Sequence, residues 1–172
     1  MPLLFETQSG RLIARSTADG IELDFPIKPL PEVDVPDALV AALGVERVPQ
    51  AFADQRRYLV ELPNGNLLHE FWPDFRLLGK LDRGVVVTAR SDGDPHDFVS
   101  RYFAVPFGVP EDPVTGSAHC SLAPYWRDRL GKDSFFAFQA SPRGGELRVG
   151  IEGQRVFLTG NTVTVLRGEL TV

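Results

Sequence analysis

Glu111-Asp112-Pro113-Val114-Thr115-Gly116-Ser117-Ala118-His119-Cys120 reads as a loop that feeds the start of a helix. A Gly-Val-Pro turn, Gly108 to Pro110, leads into it, and an apolar run, Leu122-Ala123-Pro124-Tyr125-Trp126, follows. Thr115, Gly116 and Ser117 fall where the first N–H groups of a helix have no intrahelical partner. Those donors, together with the positive end of the helix dipole, make a place for an anion such as a substrate carboxylate. Gly116 lets a ligand come close to the backbone. Asp112 stands a few residues ahead, biased toward extended backbone by Pro113. A rigid acid beside an anion-binding helix start suits proton transfer on a carboxylate-bearing small molecule. The plain alternative is an ordinary capped helix, in which Ser or Thr with a nearby acid is common.

The helix opened by this stretch runs from about Ser117 to Leu130 and stops at Gly131. Its first half is apolar or small on most faces and its second half is charged, through Arg127, Asp128 and Arg129. It therefore enters a core and emerges into water. Pro124 removes one internal hydrogen bond and predicts a local bend. Downstream, four short strands are expected: Phe135 to Ala140, Leu147 to Ile151, Val156 to Thr159 and Val163 to Leu166, with Leu170 to Val172 as a further strand end. Upstream, Val48 to Ala53 and Tyr58 to Leu62 read as strands. Pro63 to Asn66 reads as a turn, and Asp74 to Leu78 as a short helix stopped by Gly79. The dense β-branched run Gly84 to Ala89 reads as a buried strand, and Asp97 to Val105 as the strand that delivers the chain to the quoted loop.

Ahead of this unit the pattern changes. Residues 3 to 25 read as antiparallel strands with a strong hairpin signal at Ala18-Asp19-Gly20 and with no helix of their own. Pro26, Pro29, Pro31 and Pro36 mark a linker, and Ala38 to Leu43 a short helix closed by Gly44. The organisation expected is thus strands over 1–30, linker and short helix over 31–44, and a second unit over 45–172. Strands before and after one buried helix give an α+β fold, a curved, mostly antiparallel sheet wrapped around that helix.

The chain has 172 residues, 43% of them hydrophobic and 24% charged, with a net charge of −5. That balance argues against a general nucleic-acid or anionic-membrane binder, because no basic run compensates. No apolar run approaches the length of a membrane span and no secretory leader pattern opens the sequence, so a cytoplasmic protein is expected. One cysteine leaves no internal disulfide framework, and three scattered histidines make no metal-ligand spacing.

Several stretches together resemble the PhzF family, the phenazine-biosynthesis-like isomerases related in fold to diaminopimelate epimerase. They are Asp97-Phe98-Val99-Ser100-Arg101-Tyr102-Phe103, the opening decapeptide, Leu122 to Trp126 and Gln139-Ala140-Ser141-Pro142-Arg143-Gly144-Gly145-Glu146-Leu147. Phe5-Glu6-Thr7 through Ser9-Gly10 and Leu23-Asp24-Phe25-Pro26 also look like the family's mid-chain strands. The resemblance implies two lobes, each a barrel-like sheet around a central helix, with the active site in the cleft between them. It implies cofactor-independent proton-shift chemistry. Asp112 matches the family's acid and Ser117 its serine, while the N–H groups of Gly116 and Ser117 would hold the substrate carboxylate. Thr115, His119, Arg143 and Gly144 are further candidates to line the substrate site, against the plainer readings of a His119 that packs or hydrogen-bonds at the helix start and a simple hairpin turn at Arg143. Cys120 is not at the position where the epimerase relatives carry a cysteine, which argues against a two-cysteine racemase.

The resemblance departs from the family at one end. The family begins with a half-lobe carrying a glutamate base and a Gly-His-Ala-Thr helix start, and nothing like it precedes Phe5. None of Glu22, Glu32, Glu61 or Glu70 matches the base. The expectation is one complete C-terminal lobe plus the closing strands of the other. Three arrangements are left open: a truncated product, a split enzyme whose other half is a separate chain, or a shortened descendant that self-associates as a homodimer. An isomerase of a small carboxylate-bearing metabolite is the first reading. A non-catalytic small-molecule binder or assembly protein, derived by loss of the catalytic half, is the second.

Overall fold

Alternating side chains build the first strands, and each finds an edge to pair with. The computed structural model describes residues 2–8, 10–93 and 95–169. β1 (Leu3–Thr7), β2 (Gly10–Thr17) and β3 (Gly20–Pro26) form an antiparallel meander, as the hairpin signals predict. The linker contributes β4 (Glu32–Val33) and α1 (Asp37–Leu43), which Gly44 closes in the left-handed conformation at φ 66°. There follow β5 (Ala51–Ala53), β6 (Arg57–Glu61), α2 (Gly65–Glu70) and α3 (Phe75–Leu78), the last capped by the Asp74 carboxylate. β7 (Gly84–Arg90), β8 (Phe98–Ala104), a 3-10 turn (Val105–Phe107) and β9 (Val109–Asp112) lead to α4 (Gly116–Leu130). β10 (Ser134–Gln139), β11 (Gly145–Glu152) and β12 (Arg155–Gly160) end the regular structure.

The strands make a single curved sheet in the order β1-β2-β3-β12-β11-β10-β8-β7-β6-β5-β4, with β9 added on β8. It does not close on itself. Among the described residues, only the β6/β7 and β8/β10 pairs are parallel. β3, from the first strands, pairs with β12, so the meander is hydrogen-bonded into the sheet of the second unit.

Burial on both faces explains the apolar run of β7. Val86, Phe98 and Tyr102 join the core around α4, while Val85, Val87, Val99 and Phe103 face the core built from α1, α2 and α3. Nine consecutive residues of α4, Ala118 to Trp126, are buried, and the Trp126 ring stacks on Phe98 at 5.5 Å between centroids. Pro124 has no N–H to offer the carbonyl of Cys120, four residues earlier. That carbonyl instead accepts from the N–H of Lys28 at 3.0 Å, so the linker is tied to the helix where the helix's own ladder is broken.

The structure differs from the sequence reading in five places, the first being β4, which pairs with β5 inside the stretch read as a linker. Pro63 to Asn66 is not a simple turn: Asn64 accepts from the Leu67 N–H at 2.8 Å and starts α2. The approach to the quoted loop contains β9, folded back on β8. The strand expected from Val48 begins only at Ala51. Val163 to Leu166 forms no strand, and its apolar residues are exposed, because β12 is already paired on both sides by β3 and β11. The strand end expected at Leu170 to Val172 lies outside the described residues.

Candidate functional site

Asp112 is the last residue of β9 and sits opposite Tyr102 of β8. Just before it, Glu111 is fixed by a two-pronged ion pair with buried Arg101, at 2.7 and 2.9 Å. The Asp112 carboxylate accepts a hydrogen bond from the Thr115 hydroxyl on Oδ2, at 2.6 Å. Its Oδ1 has no protein partner among the described residues, and the side chain is only partly buried. One oxygen is therefore anchored and the other is left available.

Gln139, from β10, holds this turn together. Its Oε1 accepts from the Thr115 N–H at 2.7 Å, and its Nε2 donates to the Asp112 carbonyl at 2.7 Å and to Thr115 Oγ1 at 3.2 Å. The Ser141 hydroxyl donates to the Pro113 carbonyl and accepts from the Gly144 N–H, at 2.8 and 3.1 Å. Gly145 completes the contact: a Cβ there would collide with Val114.

Thr115 occupies the cap position of α4 by backbone, but its hydroxyl turns to Asp112 and does not cap the helix. The Gly116 and Ser117 N–H groups consequently have no acceptor among the described residues. They are the dipole-polarised donors that the sequence placed here. Ser117 is exposed and its Oγ accepts from Nη2 of Arg57, on β6, at 3.1 Å. Gly116 borders a groove of about 750 Å³ whose wall also includes Val114, Arg143, Gly144, Gly145 and Leu158. Arg143 is exposed on that wall.

His119 is a correction. Expected at the pocket wall, it is 0% exposed, packed inside α4 against Phe98. Its Nδ1 is 2.9 Å from the Thr115 carbonyl, which can only accept, so Nδ1 carries the proton. Burial pulls its pKa down to about 4, so the ring is neutral at physiological pH. Cys120 is buried too, and burial pushes its thiol up to about 11. It is a packed thiol donating to the Gly116 carbonyl, at 3.6 Å.

The arrangement thus brings Asp112, Thr115, Gly116 and Ser117 into one turn, with Arg143 and Gly144 on the groove beside Gly116. Sequence reasoning missed two residues. Gln139 lay inside a quoted stretch, but nothing local marks it as a clamp. Arg57 reads as one charge in a polar Asp-Gln-Arg-Arg run, and only its contact with Ser117 sets it apart.

The chain matches the PhzC-PhzF profile, described as phenazine biosynthesis-like protein, over residues 2–168. An uncharacterized isomerase of Halalkalibacterium halodurans is 46% identical over 98% of this chain. A phenazine biosynthesis-like domain-containing protein of Rattus norvegicus is 42% identical over 98% of it. The chain spans 64% and 65% of the lengths of these two relatives. The crystal structure of a PhzF-family protein of Enterococcus faecalis superimposes with a TM-score of 0.87 at 35% identity, over 99% of this chain and 65% of that one. Profile, relatives and fold agree: the chain belongs to the PhzC-PhzF family of phenazine biosynthesis-like proteins.

Proposed function

We propose that this chain carries the acid half of a PhzF-like isomerase acting on a small carboxylate-bearing metabolite. The observation that carries the reading is the Asp112 turn. A carboxylate with one oxygen anchored by Thr115 and the other free stands beside two unpaired helix-start N–H groups. The donors of Gly116 and Ser117 hold the substrate carboxylate, and Asp112 gives or takes the proton at a neighbouring carbon. A base removes a proton from one carbon, the electron pair shifts along the substrate, and Asp112 returns a proton at another position. The substrate's formula is unchanged and no cofactor is consumed. Names of relatives that include "isomerase" support this class of reaction.

The base comes from outside this stretch of sequence, whether from the same polypeptide or from a partner chain. Glu61 is engaged with the Tyr125 hydroxyl at 2.7 Å and with Arg129 at 3.0 Å, toward the far end of α4, and Glu22 is paired with Arg15. The assay therefore uses the complex purified from its own cell, with a panel of small unsaturated and amino carboxylates in D2O and proton NMR as the readout. The expected result is loss of one carbon-bound proton signal, slowed about a hundredfold or more in Asp112→Asn. Full exchange in Asp112→Asn would remove Asp112 from the mechanism. Binding without exchange would leave a binding protein.

A further inference from the structure

Arg57 lies behind Ser117 and is only 6% exposed. Its guanidinium covers the Tyr102 ring at 5.4 Å, and Gly84 leaves the room that this ring needs, since a Cβ there would touch the Tyr102 hydroxyl. One nitrogen, Nη2, donates to Ser117 Oγ at 3.1 Å. The other two, Nε and Nη1, are buried with no protein partner, and among the described residues no carboxylate forms an ion pair with this side chain. Asp54, the nearest acid in sequence, accepts from the Arg57 backbone N–H. The contrast with Arg101 is instructive, because that buried guanidinium is matched by Glu111. A buried cation without a counter-charge is costly. Placed at the positive end of a helix dipole it is costlier still, unless an anion completes the site.

We propose that Arg57 is the charge-supplying and positioning residue of an anion site at the start of α4, and that its natural counter-ion is the carboxylate of the ligand. This inference rests on the anion reading of Gly116 and Ser117 given above. By donating to the Ser117 oxygen, Arg57 occupies a lone pair and commits the hydroxyl proton outward, toward a ligand held by the two free N–H groups. The ligand class is a monoanionic carboxylate, preferred over its neutral amide by the field of Arg57 as well as by the hydrogen bonds.

The test uses benzoate and benzamide as probes and the full chain labelled with ¹⁵N. In the wild type, benzoate is expected to shift the Gly116 and Ser117 amide signals and the Arg57 side-chain Nε–H signal together. Benzamide is expected to leave them in place. Arg57→Lys is expected to weaken benzoate binding about tenfold, and Arg57→Gln by more, through loss of a charge-assisted hydrogen bond. Arg56→Gln, an equal loss of charge at an exposed neighbour, is expected to leave the affinity unchanged. If benzoate shifts both amides but binds Arg57→Lys as well as wild type, or leaves the Arg57 Nε–H signal unmoved, the Arg57 role is overturned and the helix-start reading stands. If benzoate moves neither amide in the wild type, the anion site and this proposal fall together. The Arg57 signal is read in the wild type, so a misfolded variant does not blunt the test.

Discussion

At the scale of single residues, Gln139 commits both ends of its amide to one turn of chain while being 1% exposed. Gln139→Ala leaves the Thr115 N–H and the Asp112 carbonyl unpaired in a buried place. It should cost about 2 to 4 kcal/mol in urea unfolding, since each stranded group carries a desolvation penalty. His119 gives a second prediction, with the sign set by burial, which lowers its pKa to about 4 from the ordinary imidazole value of 6.5. Above pH 6.5 neither state holds the extra proton. As pH falls toward 4 the unfolded chain takes it up and the folded chain does not, so stability declines across that window. At pH 4.5 the loss should approach about 2 to 3 kcal/mol relative to pH 7. Urea titrations of His119→Phe at both pH values should show that difference largely removed. Asp112, Thr115, Gly116 and Ser117 stand out in the sequence because they share one short stretch, and Thr115 meets Asp112 three positions away. Gln139 and Arg57 act across 24 and 60 residues of sequence, and no local pattern encodes such a contact. His119 takes its packed alternative because the two residues from exposed Ser117 are about half a turn of helix, enough to reach the interior.

At the scale of elements, the β11 strand start and the Asp112 turn touch where Gly145 meets Val114. Gly145→Ala would drive its methyl into a β-branched side chain that has few rotamers to retreat to. The expected loss is about 1 to 3 kcal/mol. Val114→Ala made in addition should recover most of it, and a double-mutant cycle by thermal or urea unfolding measures the coupling. Equal losses with and without Val114 would separate the two elements. Elements with strong internal signals were legible in the sequence: the Ala18-Asp19-Gly20 hairpin, α1 with its closing Gly44, and α4 up to Gly131. α2 was hidden because Pro-Asn-Gly-Asn is turn chemistry and helix-cap chemistry at once. Val163 to Leu166 has strand chemistry but no free edge, and pairing decides strands more than propensity does.

At the scale of the molecule, β1 ends the sheet with both of its faces bare. Leu3, Leu4 and Phe5 are 59%, 58% and 50% exposed, and alternate residues of a strand point to opposite sides. An open apolar edge of this kind invites another chain. The homodimer arrangement predicts a mass above the 19.0 kDa of one chain at micromolar concentration, measured by light scattering. It also predicts return to the single-chain mass in Leu3→Lys combined with Phe5→Lys. A single-chain mass in the wild type would overturn the homodimer arrangement.

The β3–β12 pairing has a consequence for the order of events in synthesis. Gly20–Pro26 is hydrogen-bonded along its length to Arg155–Gly160, and Arg155 reaches the Asp24 carboxylate at 2.6 Å across 131 positions. β3 leaves the ribosome with one of its two sheet neighbours, β12, still untranslated. At typical elongation rates the wait is on the order of ten seconds. During it, an apolar meander of the kind that aggregates stands unprotected on the nascent chain. A ribosome-stalled chain ending before residue 155 should therefore bind a holdase chaperone through residues 3 to 26, and release it once β12 emerges.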